Sequence, residues 1–290
     1  MSVDQEGKIK LVPESSVLGS ILRYAAVIVN ESTAPITQVQ LKLEYPKFLT
    51  LSRIKPPVEY KLNKADGLIS LTLPKLDGQK KLQINFYFNP IELGKGIFKN
   101  NLLYINNQDF VRTAETQQFE VNLSNRLFSP KKIPSFQISA ITKNAVHKGI
   151  KSYGRPPYYN VKDAFQTMTR LIQTYNFELI TKTESNGHNV AWFYGVEEKT
   201  KQEVLLIGQT LNDKMEFITI SDDENLNISL LTKLSFDFRK RLFNAGDILS
   251  MNGLYELTCK FCGGIFDYYP QKGENITCKY CNKEQQCDWY

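Results

Sequence analysis

The first 258 residues of this 290-residue chain contain no cysteine, so disulfides cannot hold that part of the fold together. All five cysteines lie between Cys259 and Cys287. Secreted disulfide-rich domains distribute their cysteines along a short chain, whereas clustered cysteines in a reducing compartment more often bind metal. The distribution excludes a disulfide framework and predicts a metal site in the last part of the sequence.

Long apolar runs are also absent, and none reaches the roughly 18 residues that a transmembrane helix needs. Residues 1–13 are polar and lack the apolar core of a signal peptide. We therefore expect a cytoplasmic protein that associates with membranes only through its partners. The two histidines, His147 and His188, lie in no nucleophile–base motif, and we expect no enzymatic activity.

The sequence has only a mild excess of positive charge. The formal net charge is +6, and four zinc-bound thiolates with one Zn²⁺ would lower it to about +4. Nucleic-acid-binding proteins usually concentrate basic residues in a patch, whereas these are spread apart from short clusters at 131–132 and 239–241. We interpret most of them as solvated surface.

In the first predicted domain, residues 1–125, apolar and polar positions alternate in short segments from about residue 15 onward, a period that is typical of half-buried strands. Turn-forming residues separate the segments, so we predict an antiparallel β-sandwich of immunoglobulin-like architecture. The apolar faces of the predicted strands are Val39, Leu41, Leu43 and Tyr45; Ile69, Leu71 and Leu73; Leu82, Ile84, Phe86 and Phe88; and Phe119, Val121 and Leu123.

Residues 126–134 contain two prolines and are predicted to be a linker. In residues 135–250 the pattern changes. Apolar residues recur at spacings of three and four near 161–175 and 228–242, which indicates two amphipathic helices. Asn160 is the expected N-cap of the first helix.

Four alternating segments lie between those helices, and a strand at 136–143 would add a fifth. The predicted domain is then an α+β platform of order β-α-β-β-β-β-α, with helices on one face of its sheet. The four segments are residues 177–184, 190–197, 203–210 and 215–221.

Residues 251–290 contain two Cys-x-x-Cys pairs, Cys259 with Cys262 and Cys278 with Cys281, separated by fifteen residues. Each pair lets two thiolates bind one tetrahedral ion, with Zn–S distances of about 2.3 Å. Four thiolates leave no coordination position for water. We therefore predict a zinc ribbon with one structural Zn²⁺ bound by these four cysteines. A redox dithiol is the alternative use of such a pair.

The turn after each pair favours a positive φ, which Gly263 and Asn282 adopt more readily than other residues. We expect residues 265–269 to form a hairpin with residues 275–277. The fifth cysteine, Cys287, is expected to be a spare thiol.

Trp192 and Tyr194 lie two residues apart on a predicted strand and therefore share one face of the sheet. Such aromatic residues either pack in the core or form a recognition pocket. Because helices are predicted on one face only, we predict that Trp192 and Tyr194 form a binding site for a protein or a short peptide.

The order of sandwich, linker and platform resembles the appendage, or ear, region of clathrin adaptors and of the coatomer gamma subunit. The segments 25–32 and 36–43 look like the paired early strands of that sandwich. The resemblance covers residues 15–245 and implies binding of short peptide motifs from vesicle-trafficking partners, partly through an aromatic-lined site on the platform. The zinc ribbon departs from the family pattern.

Two functions are therefore in competition. The first is a non-enzymatic adaptor or scaffold that binds proteins or peptides. The second is a nucleic-acid-binding or transcription-associated zinc-ribbon protein, because cations and aromatic rings together can bind single strands. The residues that favour the second are Lys260, Lys272, Lys279, Lys283, Phe261, Tyr268, Tyr269 and Tyr280.

Overall fold

The structure is a computed structural model that describes residues 7–115, 118–156, 158–185, 187–251, 253–259, 265–266, 268, 270 and 273–287. These residues fall into two compact units. The first holds the described residues up to Leu123 except 17–20, and the second holds 17–20 and those from Ser124 onward. No helix in the described ranges has the length and hydrophobicity needed to cross a bilayer.

The described residues of the first unit form ten strands in two sheets, and only the last two residues of β1 are counted with the second unit. The strands are β1 (Ile9–Leu18), β2 (Ile21–Asn30), β3 (Thr37–Glu44), β4 (Leu49–Lys55), β5 (Tyr60–Asn63), β6 (Leu68–Leu73), β7 (Lys80–Pro90), β8 (Gly94–Ile105), β9 (Val111–Glu115) and β10 (Phe119–Leu123). One sheet has the order β1-β2-β7-β4. The other has the order β10-β8-β3-β6-β5, and β9 also pairs with β8. The pairs β2–β7 and β3–β8 are antiparallel.

Aromatic side chains join the two sheets of this unit. Tyr24 on β2 stacks on Phe98 of β8 with ring centroids 4.4 Å apart, and Phe88 on β7 lies 5.3 Å from the same ring. The predicted alternation is confirmed at Val39, Leu41, Leu43, Tyr45, Ile69, Leu71, Leu73, Ile84, Phe86, Phe88, Val121 and Leu123, which are all buried. Two sheets with their apolar faces in contact confirm the β-sandwich.

The second unit combines a larger sheet, three helices and a small hairpin. Its elements are β11 (Phe128–Pro130), α1 (Gln137–Asn144), β12 (His147–Gly154), α2 (Val161–Gln173), β13 (Glu178–Ser185), β14 (His188–Glu197), β15 (Glu203–Thr210), β16 (Lys214–Ser221), α3 (Glu224–Ala245), β17 (Asn275–Thr277) and β18 (Glu284–Gln286). The larger sheet has the order β11-β14-β15-β16-β12, with β13 also paired to β14. We call it the helix-backed sheet.

Helices α2 and α3 pack on one face of the helix-backed sheet. The Asn160 side chain caps α2 by accepting from the Lys162 N–H at 2.8 Å, as expected. Asp223 caps α3 by accepting from two backbone N–H groups. Their apolar stripes enter one core with the strands, which contains Ala164, Phe165, Met168, Leu171, Ile172, Leu230, Leu231, Leu234, Phe238 and Leu242.

The strand considered at 136–143 is wrong, because this segment forms helix α1. The Ala145 N–H closes the last turn on the Ile141 carbonyl at 3.0 Å. Ile138 and Ile141, three residues apart, both pack against the sheet, which a strand of period two would not allow. The strand next to β16 is β12 instead.

Candidate metal centre and interaction face

Three cysteine thiols converge in the last part of the chain. Cys259 directly follows Thr258, which forms an isolated β-bridge with Ile265. Cys278 and Cys281 lie in the turn between β17 and β18, which pair antiparallel. The second Cys-x-x-Cys pair therefore lies where two short strands meet.

The three thiols lie close enough together to bind one ion. The Sγ atoms of Cys259, Cys278 and Cys281 all lie within 4.8 Å of one another, and those of Cys259 and Cys281 are 3.8 Å apart. Zn–S bonds of about 2.3 Å at tetrahedral angles place two sulfurs about 3.8 Å apart. These three residues fit a metal ion of thiolate preference. The predicted fourth ligand, Cys262, lies outside the described residues.

The turn at the second pair has the backbone that its sequence predicts. Asn282 has a φ of 54°, and its N–H donates to the Cys278 carbonyl at 2.8 Å. The Cys278 N–H donates in turn to the Lys283 carbonyl at 3.0 Å. These bonds fold the chain around the two sulfurs, and the positive φ expected at Asn282 is confirmed. Gly263, the matching residue of the first pair, lies outside the described residues.

The expected hairpin between residues 265–269 and 275–277 is wrong in the described residues. β17 pairs with β18, and Ile265 bridges to Thr258 instead. The β17–β18 hairpin therefore closes around Cys278 and Cys281. The physical reason is the turn at Cys278–Lys283: Asn282, at positive φ, brings the chain back so that Thr277 faces Glu284.

Cys287 is buried at 0% exposure among the apolar residues of this small core. It is not part of the three-thiol group among the residues that the structure describes. Its N–H donates to the Glu274 carbonyl at 2.9 Å, which ties the end of β18 to the residue before β17. The interpretation as a spare thiol stays a prediction.

The segment that enters this region is anchored to β12. Leu254 lies in the core formed by α2, α3 and the helix-backed sheet. The Leu257 N–H donates to the Ser152 carbonyl at 3.0 Å. Lys151, only 2% exposed, pairs with Glu256 at 2.9 Å. Because a buried ammonium without a partner is costly, removal of this segment would destabilise the edge of the sheet.

Trp192 and Tyr194 both lie on the face of the helix-backed sheet opposite α2 and α3. Trp192 is directly across from Ile207 on β15, and Tyr194 is across from Leu205. Tyr194 is 3% exposed, whereas Trp192 is half-buried. The aromatic pair thus shares one face as predicted, while its role in binding a partner stays a prediction.

Tyr194 forms part of a small polar cluster at the edge of this face. Its hydroxyl donates to the Glu203 carboxylate at 2.5 Å, and Lys131 pairs with the same carboxylate. Burial, followed by the hydrogen bond to Glu203, raises the pKa of Tyr194. The hydrogen bonds from Lys131 and Tyr194 lower the pKa of Glu203. Glu203 is therefore a fixed negative charge at neutral pH.

Helix α1 covers part of this face, contrary to the expectation that helices lie on one face only. Ile138, Ile141 and Ala145 pack against the apolar side chains of the sheet. A groove of about 360 Å³ lies beside them, lined by Gln137, Ala140, Ile141, Asn144, Ala145, Tyr194, Glu203, Leu205, Ile220, Ser221 and Asp222. Sequence reasoning missed this groove because it treated residues 136–143 as a strand. The three-residue spacing of Ile138 and Ile141 was the available signal.

The residues that favour nucleic-acid binding are only partly described. Lys260, Phe261, Tyr269 and Lys272 lie outside the described residues. Tyr280 is 62% exposed, and Lys279 Nζ lies 5.1 Å from the centre of its ring. Tyr268 donates to Glu274 at 3.0 Å. One exposed cation–aromatic pair is thus present beside Cys281.

No protein-family profile and no curated protein matches this sequence. Among solved structures, the GAE domain of GGA2p from Saccharomyces cerevisiae is 20% identical, with a TM-score of 0.28 over 42% of this chain and 96% of that one. The major pilin subunit BcpA*(D312A) of Bacillus cereus is 9% identical, with a TM-score of 0.34 over 69% and 59%. A GH20 exo-β-N-acetylglucosaminidase mutant from Vibrio harveyi is 12% identical, with a TM-score of 0.29 over 74% and 40%. Similarities this weak assign neither a family nor a function.

Proposed function

We propose that this protein is a non-enzymatic adaptor or scaffold that binds a protein or a short peptide on the face of the helix-backed sheet that carries Trp192 and Tyr194. The observation that carries the proposal is the groove of about 360 Å³ beside Tyr194. Its lining joins apolar groups, Leu205 and Ile220, to a few polar ones. Recognition sites typically combine an apolar floor with a small number of polar groups that fix orientation.

The resemblance of the sequence to adaptor and coatomer appendages supports a partner of the same kind, a short motif from a trafficking protein. The proposal places the protein in the cytoplasm and lets it reach membranes through such partners. An aromatic anchor suits this role because interface energy concentrates in a few Trp and Tyr residues.

The test is Trp192→Ala in the full chain, with Tyr60→Ala as a matched control, because Tyr60 is an exposed aromatic residue of the first unit. Partners captured from a native lysate are identified with the wild-type chain and then titrated against all three proteins. We expect Trp192→Ala to weaken binding about tenfold or more, the loss expected for an anchor worth about 2 kcal/mol, and Tyr60→Ala to leave it unchanged.

A core role for Trp192 gives the opposite result. Truncation would then destabilise the fold by about 3–5 kcal/mol. A large drop in melting temperature, with binding otherwise retained at low temperature, would remove the site from the proposal.

The second part of the proposal is one structural Zn²⁺ held by Cys259, Cys262, Cys278 and Cys281. The support is the close three-thiol group and the Cys-x-x-Cys position of Cys262. The ion would bind the four thiolates and supply much of the folding free energy of a region with so small a core. Zinc content of protein purified without added metal tests it.

The identity of the fourth ligand is tested by a matched pair of variants. Cys262→Ser is expected to lower the zinc content of the purified protein well below one equivalent, and Cys287→Ser is expected to leave it at one. If Cys287→Ser releases the metal and Cys262→Ser does not, the ligand set proposed here is wrong.

Nucleic-acid binding is the alternative function, favoured by the exposed pair of Lys279 and Tyr280. Fluorescence anisotropy with a labelled single-stranded oligonucleotide between 50 and 200 mM salt separates it from the adaptor function. Electrostatic binding to phosphates weakens steeply over that range. Binding that is lost in Tyr280→Ala but kept in Trp192→Ala would favour this alternative.

A further inference from the structure

The face of the helix-backed sheet that carries Trp192 is apolar over a wide area. Its buried side chains are Val190, Tyr194, Leu205, Ile207, Ile218 and Ile220, which come from three adjacent strands. Among the described residues that pack on these side chains, Ile138 and Ile141 come from α1 and Ile133 from the segment before it. The face therefore already holds one amphipathic helix, which belongs to the chain itself.

Helix α1 has few means of stability apart from this contact. It has eight residues, and none of them is buried. It has no side-chain cap at Phe136 and no acidic residue in its first turn. Isolated helices shorter than about 12–15 residues are marginal in water. The helix is therefore held mainly by the sheet face, and it can unfold locally without loss of the core on the other face.

The contact between α1 and the sheet is also incompletely packed. The groove runs between Ala140 and Ile141 on the helix and Leu205 and Ile220 on the sheet. The groove is open to solvent, so α1 leaves this part of the sheet face uncovered. A helix with larger side chains than Ala140 at the matching position would fill the space that α1 leaves.

The charges of the groove suit a basic partner. The lining contains two carboxylates, Glu203 and Asp222, of which Asp222 is exposed, and its third ionisable group, Tyr194, is uncharged at neutral pH. Lys131 already pairs with Glu203, so a basic partner would compete with Lys131 at that carboxylate and would meet the exposed Asp222 directly. Complementary charge at the rim of an interface speeds encounter and fixes orientation.

We propose that α1 is a resident intramolecular ligand of this face, and that the partner is an amphipathic helix that displaces it. This inference rests on the proposed function, which assigns partner binding to the same face. The partner helix presents apolar residues at positions i and i+3, the spacing of Ile138 and Ile141 in α1. It carries basic residues on the flank that meets Glu203 and Asp222.

A tethered occupant controls the affinity of the partner. A segment attached by a short linker competes at an effective concentration on the millimolar scale. The apparent affinity for any outside helix is reduced by the fraction of molecules in which the face is free. Release of α1 therefore strengthens partner binding without any new contact.

The experiment uses a fluorescently labelled peptide with the sequence of residues 133–146, so no partner needs to be known. It is titrated against the full-length wild-type protein and against the double variant Ile138→Ser/Ile141→Ser. We expect the double variant to bind the peptide about tenfold or more tightly than the wild type does, because its own α1 no longer competes.

Two matched controls define specificity. A peptide that carries the same two serines should not bind the double variant. Ser139→Ala, an exposed change in the same helix, should bind the normal peptide no better than the wild type. Failure of a folded double variant to bind the normal peptide would overturn the proposal.

Hydrogen exchange of the wild-type protein keeps the proposal testable if the double variant does not fold. Amides of α1 are expected to exchange through local opening, with far lower protection than the amides of α3. Exchange of α1 amides only on global unfolding would overturn the proposal. A result in which the peptide replaces α1 while Trp192→Ala leaves partner binding unchanged would support α1 as a displaceable helix and contradict the proposed partner site at Trp192.

Discussion

The two faces of the helix-backed sheet are covered in opposite ways. On one face, α2 and α3 bury an apolar stripe each and join a single core. On the other, α1 contributes no buried residue and leaves a groove beside it. The same sheet is thus covered by two buried helices on one side and only in part, by a short helix, on the other.

Helix ends explain part of this difference. Asn160 and Asp223 accept hydrogen bonds from the first backbone N–H groups of α2 and α3. Gly246, with a φ of 79°, ends α3 in the left-handed conformation that favours glycine. The N-cap position of α1 is Phe136, which provides no side-chain bond. The longer, capped helices α2 and α3 are stabilised at their ends, whereas the short, uncapped α1 depends on its contact with the sheet.

The largest effect is expected in the α3 core. Phe238 is 0% exposed and packs edge-on against Phe217 with ring centroids 5.2 Å apart. Phe238→Ala should lower the free energy of unfolding by about 3–5 kcal/mol, because it removes a buried ring and leaves a cavity. Denaturant unfolding measures it. Phe243→Ala, at a position that is 44% exposed on the same helix, is the control and should cost far less. Equal losses would contradict the burial assigned to α3.

A smaller effect is expected on the α1 face. Ile141→Ala removes a half-buried side chain that packs on the sheet. Full burial of isoleucine would make this change cost about 2–5 kcal/mol, so we expect the low end or less, about 1–2 kcal/mol. Thr142→Ala, next to it and exposed, controls for helix propensity. A loss as large as that of Phe238→Ala would show that α1 belongs to the permanent structure.

The caps give a third comparison. Asp223→Ala should cost about 1 kcal/mol, because two backbone N–H groups at the start of α3 lose their acceptor. Phe136→Ala removes no cap and should change stability by less than about 0.5 kcal/mol. Both values come from the same urea titrations. An equal cost for the two changes would mean that Phe136 has a packing role that its exposure does not suggest.

Much of the fold could be predicted from the sequence because its segments are long and strictly periodic. β3 alternates buried and exposed residues through its length, and α2 keeps its apolar stripe over thirteen residues. The strand prediction for residues 136–143 failed because so short a segment fits both the strand period of two and the helix period of 3.6. Phe136, Ile138 and Ala140 alternate as in a strand, while Ile138 and Ile141 have a helical spacing. Only the tertiary contact with the sheet decides between them.

The candidate sites, too, could be predicted from the sequence only in part. Cys259, Cys278 and Cys281 could be predicted from spacing, because two residues between cysteines let both sulfurs reach one ion. The pairing of β17 with β18 could not, because three-residue strands carry too little pattern to set a register. The groove could not be predicted either, since residues of α1, β14, β15 and β16 meet there only in the folded chain.

The smallest expected effect concerns the polar edge of the α1 face, and it depends on pH. Hydrogen bonds from Lys131 and Tyr194 hold the pKa of Glu203 below its usual value. A carboxyl group with a lowered pKa in the folded state contributes stability that is present above its unfolded pKa, about 4.3, and is lost as the pH falls through the folded value.

Glu203→Gln should therefore be less stable than the wild type near pH 7, and the difference should shrink as the pH falls below about 4. Because the Glu203 side chain is 48% exposed, solvent screens the pair, and we expect less than about 1 kcal/mol. Urea unfolding from pH 3 to 7 measures the difference, with Glu198→Gln as the control, because Glu198 is exposed in the turn after β14 and accepts from the uncharged Ser129 hydroxyl. The difference should also shrink at 1 M salt, where the screening length falls to about 3 Å. A difference that is constant with pH and salt would show that Glu203 stabilises this face through packing and not through its charge.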